Sequence, residues 1–394
     1  MTDLKKETNP RLGRTVPTVA AGQPAQAFIP PPLPPDPPLE ISAMLPLLEQ
    51  AQLAVGKLDA MGEMLPDVDR FIYTCVRKEA LVSSQIEGTQ SSLSDLLLHE
   101  IDAVPGVPAD DVKEVSNYVV AIRHGVQKVQ DEAYPLTLNL MRDLHRMLLQ
   151  GQRGKNKDPG EFRRSQVWLQ DGYGRVSFVP PTADNVIPLL GELEKYINEE
   201  KPSLPALVRA ALVHAQFETI HPFHDGNGRL GRMLITLMLC AANVMHEPIL
   251  YLSLYFKVNR DAYYHALDNI RRKGAWEEWV EFFLRGVVEV AGQAIDTVRT
   301  LTTLFKADRG KILARSNRAN ATIFRVHDLL QKQVYASVPN LQKQLDVSAP
   351  TARAALTELQ ELGIVKEVTG QQRNRVYVYE KCLDILQQGA DPIK

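Results

Sequence analysis

From Ile41 to about Ile101 apolar residues recur at spacings of three and four, first in MLPLLEQAQLAVGKL and again in VDRFIYTCVRKEALVSSQI. That is the period of helices burying one face. The same period runs through VKEVSNYVVAIRHGVQKV and LTLNLMRDLHRMLL, predicting core helices on which His99, His124 and His145 are structural. At 151–181 the texture changes to Gly, Pro and charge, and two short β-like runs, SQVWL and RVSFV, flank the turn signal QDGYG. A β-hairpin is expected there, in an otherwise helical chain. Beyond it the pattern predicts a helix over 184–199 and another from Pro205 to about Ile220, with His214 and Phe217 on its inner side. Two further helices dense in aromatics fall within 251–287. A long polar helix at 288–318 acts as a connector. From 319 to 394 a helix, a helix-turn-helix (LQKQLDV and SAPTARAALTELQELG) and an alternating two-stranded ribbon (IVKEVTGQQRNRVYVYE) resemble a winged helix-turn-helix. At the other end, residues 1 to about 27 are polar without a convincing period. FIPPPLPPDPPLE (28–40) is too proline-rich for helix or sheet interior and predicts an extended strap along the domain surface.

Composition changes this picture little. The chain has 394 residues, 44% hydrophobic and 23% charged, ordinary for a soluble globular protein of two or three domains. Its 45 basic and 47 acidic residues leave a net charge of −2, so nothing global draws it to nucleic acid or anionic lipid. Nine Lys/Arg against eight Asp/Glu in 320–394, with only Arg353 as a base on the expected recognition helix, argue against a basic DNA-binding face. Protein docking or dimer support suits that region at least as well. Cys75, Cys240 and Cys382 have no metal-ligand spacing. No run approaches a membrane span or a secretory signal, so a cytoplasmic location is expected.

The chemistry concentrates in HPFHDGNGRLGR, residues 221–232. Gly226 and Gly228 permit positive φ and close ligand approach, and the helix that follows opens with free amide N–H groups and a dipole favouring negative charge. A phosphate suits such a loop. Arg229 and Arg232, three apart, share a helix face and can clamp further oxygens, while Asp225 offers the hard oxygen that Mg²⁺ prefers. His221, next to the loop, is suited to take a proton from an attacking hydroxyl. Upstream, Glu87 falls in the last turn of a helix ending at Gly88, with a new helix starting at the capping sequence Ser92-Leu93-Ser94-Asp95. A negative charge there is unfavourable by about 0.3–1 kcal/mol unless compensated, so Glu87 is expected to have a cationic partner.

The stretch 221–232 resembles the signature of the Fic (filamentation induced by cAMP) family, H-x-F-x-[DE]-G-N-G-R-x-x-R, at every fixed position; His224 fills a variable one. The resemblance, covering roughly residues 40–287, implies a mainly α fold: a Fic-type helical bundle with a β-hairpin flap, here joined to the small C-terminal winged helix-turn-helix. Together with the elements read above, it divides the chain into a proline-rich extension (1–40), an N-terminal helical region with an inhibitory helix (41–130), a catalytic core (131–287), the connecting helix (288–318) and the winged helix (319–394). It further implies transfer of AMP from ATP to a Ser, Thr or Tyr hydroxyl of a target protein. In that reading His221 is the base, Asp225 holds Mg²⁺, the loop of Gly226, Asn227 and Gly228 cradles the phosphates, and Arg229 and Arg232 hold the β- and γ-phosphates.

Three further assignments follow from the resemblance alone. SSQIEGT matches the family's inhibitory motif [ST]-x-x-x-E-[GN] with Ser83, Glu87 and Gly88 in register, which implies that Glu87 pairs with Arg232. The hairpin corresponds to the Fic flap, whose edge at Val167, Trp168 and Leu169 would hold the target by strand addition. Tyr264 and Leu267 would wall the adenine pocket. Partners expected are a protein substrate, the chain itself through self-modification, and a second copy in a homodimer. The rival readings are an enzyme that removes AMP, or does both, with Glu87 orienting a water, and a nucleotide-sensing DNA-binding regulator.

Overall fold

The computed structural model describes residues 9–64, 68–101, 109–151, 157–315, 321–371 and 373–391. Two strands, β1 (Arg14–Ala20) and β2 (Gln23–Ile29), precede a helical body. That body comprises α1 (Leu45–Met64), α2 (Val68–Ile86), α3 (Leu93–Glu100), α4 (Ala109–Gln130) and α5 (Leu138–Leu148). A short hairpin, β3 (Leu169–Gln170) and β4 (Val176–Phe178), leads into α6 (Ala183–Ile197), α7 (Ala206–Ile220), α8 (Asn227–Ala241), α9 (Ser253–Val258), α10 (Arg260–Lys273) and α11 (Trp276–Arg315). The C-terminal part is α12 (Ala321–Gln333), β5 (Tyr335–Ser337), α13 (Val338–Leu345), α14 (Ala349–Glu361), β6 (Lys366–Glu367), β7 (Val376–Val378) and α15 (Glu380–Gln387). Its three strands form an antiparallel sheet in the order β5-β7-β6. The mainly α fold expected from the sequence is the fold found.

α7 and α8 lie at the centre. Nearly every residue of both is buried, so they read as continuous apolar runs rather than as amphipathic stripes. Around them pack α2, α4, α5, α10 and α11, and one hydrophobic cluster runs from Met44 through Trp276 and Trp279 to Leu386. His214 is in that core as expected, its Nε2 2.8 Å from the Tyr263 hydroxyl. α2 is held from both sides by a buried carboxylate: Glu79 accepts from the Ser253 amide (3.1 Å), the Ser253 hydroxyl and the Tyr118 hydroxyl (3.2 Å). α3 starts as its sequence predicts, with the Ser92 amide donating to Asp95 Oδ2 (2.9 Å) and the Asp95 amide to Ser92 Oγ (3.2 Å). All three cysteines are free and buried.

Two expectations need correction. Residues 14–29 are a β-hairpin in full antiparallel register, from Arg14 opposite Ile29 to Ala20 opposite Gln23. Pro17 and Pro24 hide that pattern in the sequence, yet a two-stranded ribbon tolerates proline on its outer edges, and the turn is made by Ala21 and Gly22, both at positive φ. Second, the connecting helix expected at 288–318 is, as far as Arg315, the latter part of the single 40-residue α11, and 316–318 lie outside the described residues. Buried Val290, Ala291, Ala294, Val298 and Ile312 seat it, much of it against α1. The proline-rich strap does lie along the body. Arg11 forms a bidentate pair with Glu277 at 2.7 and 2.9 Å, and Gln216 donates to the Pro31 carbonyl at 2.8 Å.

Candidate active site

The site forms where α7 ends and α8 begins. The α7 run stops because His221 takes left-handed backbone angles (φ 50, ψ 61), a strained conformation for a residue with a Cβ. Gly226 (φ 76) reverses the chain into α8. Asn227 braces the turn between them. Its Nδ2 donates to the Phe223 carbonyl and its Oδ1 accepts from the Phe223 amide, both at 2.9 Å, while the Gly226 amide donates to Asp225 Oδ1 at 2.7 Å.

Two residues outside the signature fix this turn. His145 of α5 has one arrangement open to it: Nδ1 accepts from the Gly160 amide (2.8 Å), so Nε2 carries the proton and donates to the Asp225 carbonyl (2.9 Å). Its ring stacks on Phe223 with centroids 3.7 Å apart, and burial pushes its pKa down to about 4. Arg163 grips the end of α7. Its guanidinium donates to the carbonyls of His221 (2.8 Å), Ile220 (3.3 Å) and Pro181, and its own amide donates to the Pro222 carbonyl (2.9 Å). A cation is thereby placed at the negative end of α7.

His221 is held neutral. Burial, with help from the Arg163 charge, pushes its pKa down to about 4. Its Nδ1 is buried without a close hydrogen-bond partner among the described residues, although the Glu218 carbonyl lies near enough to favour a proton there. Glu218, one turn earlier, has a buried Oε1 that no described residue engages, and burial raises its carboxyl to about 7.

The two signature arginines are buried and differently engaged. Arg229 sits loosely between Glu114 (3.4 Å) and Asp225 (3.5 Å), and its Nε has no partner among the described residues. Arg232 is firmly held: Nε donates to Ser83 Oγ (2.9 Å), and Nη2 donates to the Ser83 carbonyl (2.8 Å) and to Glu87 Oε1 (2.7 Å). Glu87 therefore has the cationic partner its position demands. Burial works against its charge, but Arg232 outweighs burial and holds the carboxyl below the usual range. A Cβ on Gly228 would lie 2.2 Å from Glu87 Oε1. The carboxylate thus rests against the first turn of α8, where a helix dipole attracts an anion.

Ser83, Glu87, Asp225, Gly226, Asn227, Gly228, Arg229 and Arg232 are thus brought together beside His221, and Gly88 follows Glu87 at positive φ. Tyr264 on α10 faces the same space, its hydroxyl sensing Glu87 and Arg232; it is 43% exposed, whereas Leu267 is buried. Of the hairpin residues, Leu169 pairs with Phe178, whereas Val167 and Trp168 precede β3. The guanidinium of Arg271 lies 4.0 Å from the Phe178 ring centroid, and β2 backs the hairpin through the Phe28 amide and the Val179 carbonyl (2.9 Å).

The N-terminal Fic/DOC family model matches residues 45–127 and the Fic/DOC family model matches residues 135–239. These two segments carry the Fic/DOC family's domains. Among the chain's relatives are the protein adenylyltransferase Fic of Drosophila virilis, 28% identical over 268 residues (66% of this chain and 49% of the relative), and that of Drosophila grimshawi, 31% identical over 221 residues (54% and 40%). The chain spans about half or less of the length of these relatives. A solved Fic family protein from Desulfovibrio desulfuricans shares the fold at TM-score 0.56 and 20% identity, over 86% of this chain and 95% of that one. A Fic domain containing signaling protein from Bacteroides thetaiotaomicron does so at TM-score 0.52 and 21%, over 63% and 95%.

Proposed function

We propose that this chain is a protein adenylyltransferase that moves AMP from ATP to a Ser, Thr or Tyr hydroxyl of a target protein, and that Glu87 keeps its resting form slow. The observation that carries this reading is a neutral, half-buried His221 beside a glycine loop that opens a helix. With its proton on Nδ1, the ring has Nε2 as base. His221 takes the proton of the incoming hydroxyl, the oxygen bonds to the α-phosphorus, the bond to the β-phosphate breaks, and pyrophosphate leaves. The amides at the start of α8 and the arginines at 229 and 232 neutralise the phosphate oxygens. The names of the Drosophila relatives support the class of reaction.

Mg²⁺ fits this donor set in one limited way. Among the described residues no group of three metal-binding side chains exists, but the Asp225 side chain is 45% exposed, and Mg²⁺ is commonly held by a single carboxylate with waters and substrate phosphates. When bound, it would supply positive charge beside the phosphates. The hairpin is read as the docking flap, with Val167, Trp168 and Leu169 beside the target segment, and Tyr264 and Leu267 as the adenine wall. The C-terminal elements suit a winged helix that docks protein or a second copy. A second reading has its own observation: Glu87 has a side chain 37% exposed and, among the described residues, only its Oε1 is engaged, which leaves Oε2 to orient a water for removal of AMP. Incubation with α-labelled ATP, for the parent, Glu87→Gly and His221→Ala, tests the first reading; release of label from a modified protein that depends on Glu87 would support the second.

A further inference from the structure

Between α2, α9, α11 and α15 lies a cavity of about 460 Å³ with no residue of the 221–232 loop in its lining. Lys78 of α2 forms its inner end and is only 5% exposed. Thr297 and Gln293 of α11 and Gln388 after α15 line the walls, and the exposed Glu289 and Asp296 stand at its mouth, where Glu289 Oε1 accepts from Gln293 Nε2 (3.1 Å) and Asp296 Oδ1 lies 3.5 Å from Arg299 Nη1, leaving the second oxygen of each to face a ligand. A lysine this deep is ordinarily paired, because burying an isolated charge is costly. Lys78 has no ion pair or hydrogen bond with any described residue; its ammonium lies 4.8 Å from the Tyr251 ring centroid. Burial and the neighbouring Lys257 lower its pKa to about 8, so it is still mostly charged at neutral pH. Lys257 itself is taken up by Gln85 Oε1 (2.7 Å) and the Asp391 carbonyl.

An anion reaching Lys78 would complete this site, and the two acids at the mouth restrict which anion. A polyphosphate would be repelled there, whereas a ligand with one negative end and one positive end meets complementary charge at both. We propose that the cavity binds a free α-amino acid, its carboxylate on Lys78 and its ammonium toward Glu289 and Asp296. The Thr297 hydroxyl, which donates to the Gln293 carbonyl (2.9 Å), keeps its oxygen to accept from the ammonium, and the side-chain amide of Gln388 supplies a further hydrogen bond. Binding here is independent of AMP transfer, although Lys78 shares α2 with Ser83.

Calorimetric titration of the full chain with each common amino acid, and separately with acetate, methylamine and inorganic phosphate, tests the assignment. At least one amino acid is expected to bind saturably with one site per chain. Its affinity should fall about tenfold or more in Lys78→Met and by a smaller factor in Glu289→Gln, while the single-ended probes and phosphate bind at least about tenfold more weakly. Absence of amino-acid binding overturns the proposal, as does undiminished binding to Lys78→Met or acetate or phosphate binding as tightly. Should Lys78→Met fail to fold, the exposed Glu289→Gln carries the test: unchanged amino-acid affinity in that variant is equally fatal.

Discussion

Glu87 Oε1 and Arg232 Nη2 lie 2.7 Å apart, and they join the residue after the end of α2 to the second turn of α8 across 145 positions of sequence. An arginine held by Glu87 and twice by Ser83 is not free for a phosphate. Replacing Glu87 with Gly should therefore raise AMP transfer, including self-modification, although a charge is deleted. The Arg232 side chain is only 2% exposed, so the stability cost should exceed that of a surface pair; with both Ser83 contacts kept, about 1–2 kcal/mol is expected. The double change Glu87→Gly with Arg232→Ala separates causes, since a missing arginine cannot be released. Transfer assays on parent, singles and double decide it: activation that survives loss of Arg232 contradicts the mechanism.

His221→Ala should abolish transfer while ATP still binds, with a loss of about 10²–10⁴-fold. The pH profile carries a second test. A base works only when unprotonated. The His221 pKa is about 4 with the Glu87 charge raising it, so transfer by Glu87→Gly should fall on the acid side only as pH drops to 4 or below. A further inflection would come from Glu218, whose carboxyl is raised to about 7 in the parent by burial and by the Glu87 charge; in Glu87→Gly it should lie below that, and it should vanish in Glu218→Gln. An acid limb centred on 6.5 that persists in that variant would mean His221 is not the depressed base described.

His145→Leu leaves the Gly160 amide and the Asp225 carbonyl without their partner. Each lost buried hydrogen bond costs about 1–3 kcal/mol, so thermal stability should fall, and the loop should lose its geometry with it. Loss of transfer without any fall in melting temperature would point to a direct chemical role for His145 instead.

How much of this was legible follows from locality. His221 through Arg232 are consecutive, so their chemistry shows as a string, and Ser83 and Glu87 stand four apart, one in the last turn of α2 and the other just past its end. His145 and Arg163 look ordinary in sequence. Their value comes from reaching carbonyls 80 and 58 positions away, and no local pattern reports that. Glu218 was missed for a related reason: it reads as a surface glutamate until the approach of α8 at Gly231, whose Cβ would lie 2.5 Å from Glu218 Oε1, is seen. The hairpin at 14–29 was hidden by prolines that strand rules penalise and a free edge permits.

The flap prediction rests on position. Val167 and Trp168 lie just before β3 and a few residues after Arg163, which is tied to the His221 carbonyl, so a target strand laid along this segment would bring its hydroxyl toward the base. Val167→Pro removes an N–H that strand addition would use, and Trp168→Gly removes the 37% exposed ring. Both should reduce modification of a protein target more than they reduce ATP binding. Equal losses in the two assays would make the hairpin scaffold.

Gly228 offers the sharpest separation between releasing Glu87 and building a working phosphate cradle. A methyl group there would meet Glu87 Oε1 at 2.2 Å and Arg232 Nη1 at 2.9 Å, distances no van der Waals contact allows, so Gly228→Ala must push the carboxylate off the first turn of α8. If inhibition were only a matter of freeing Arg232, this variant would be activated as Glu87→Gly is. The methyl, however, occupies the space that the loop amides need for a phosphate oxygen, where glycine serves close backbone approach. Gly228→Ala should therefore lose Glu87 pairing and ATP affinity together, by about tenfold or more in the latter, while Glu87→Gly gains affinity. Combining the two changes should give the Gly228→Ala phenotype. Calorimetry with ATP on the four proteins reads this directly, and a double variant that binds ATP as well as Glu87→Gly would show that the phosphates do not rest on Gly228.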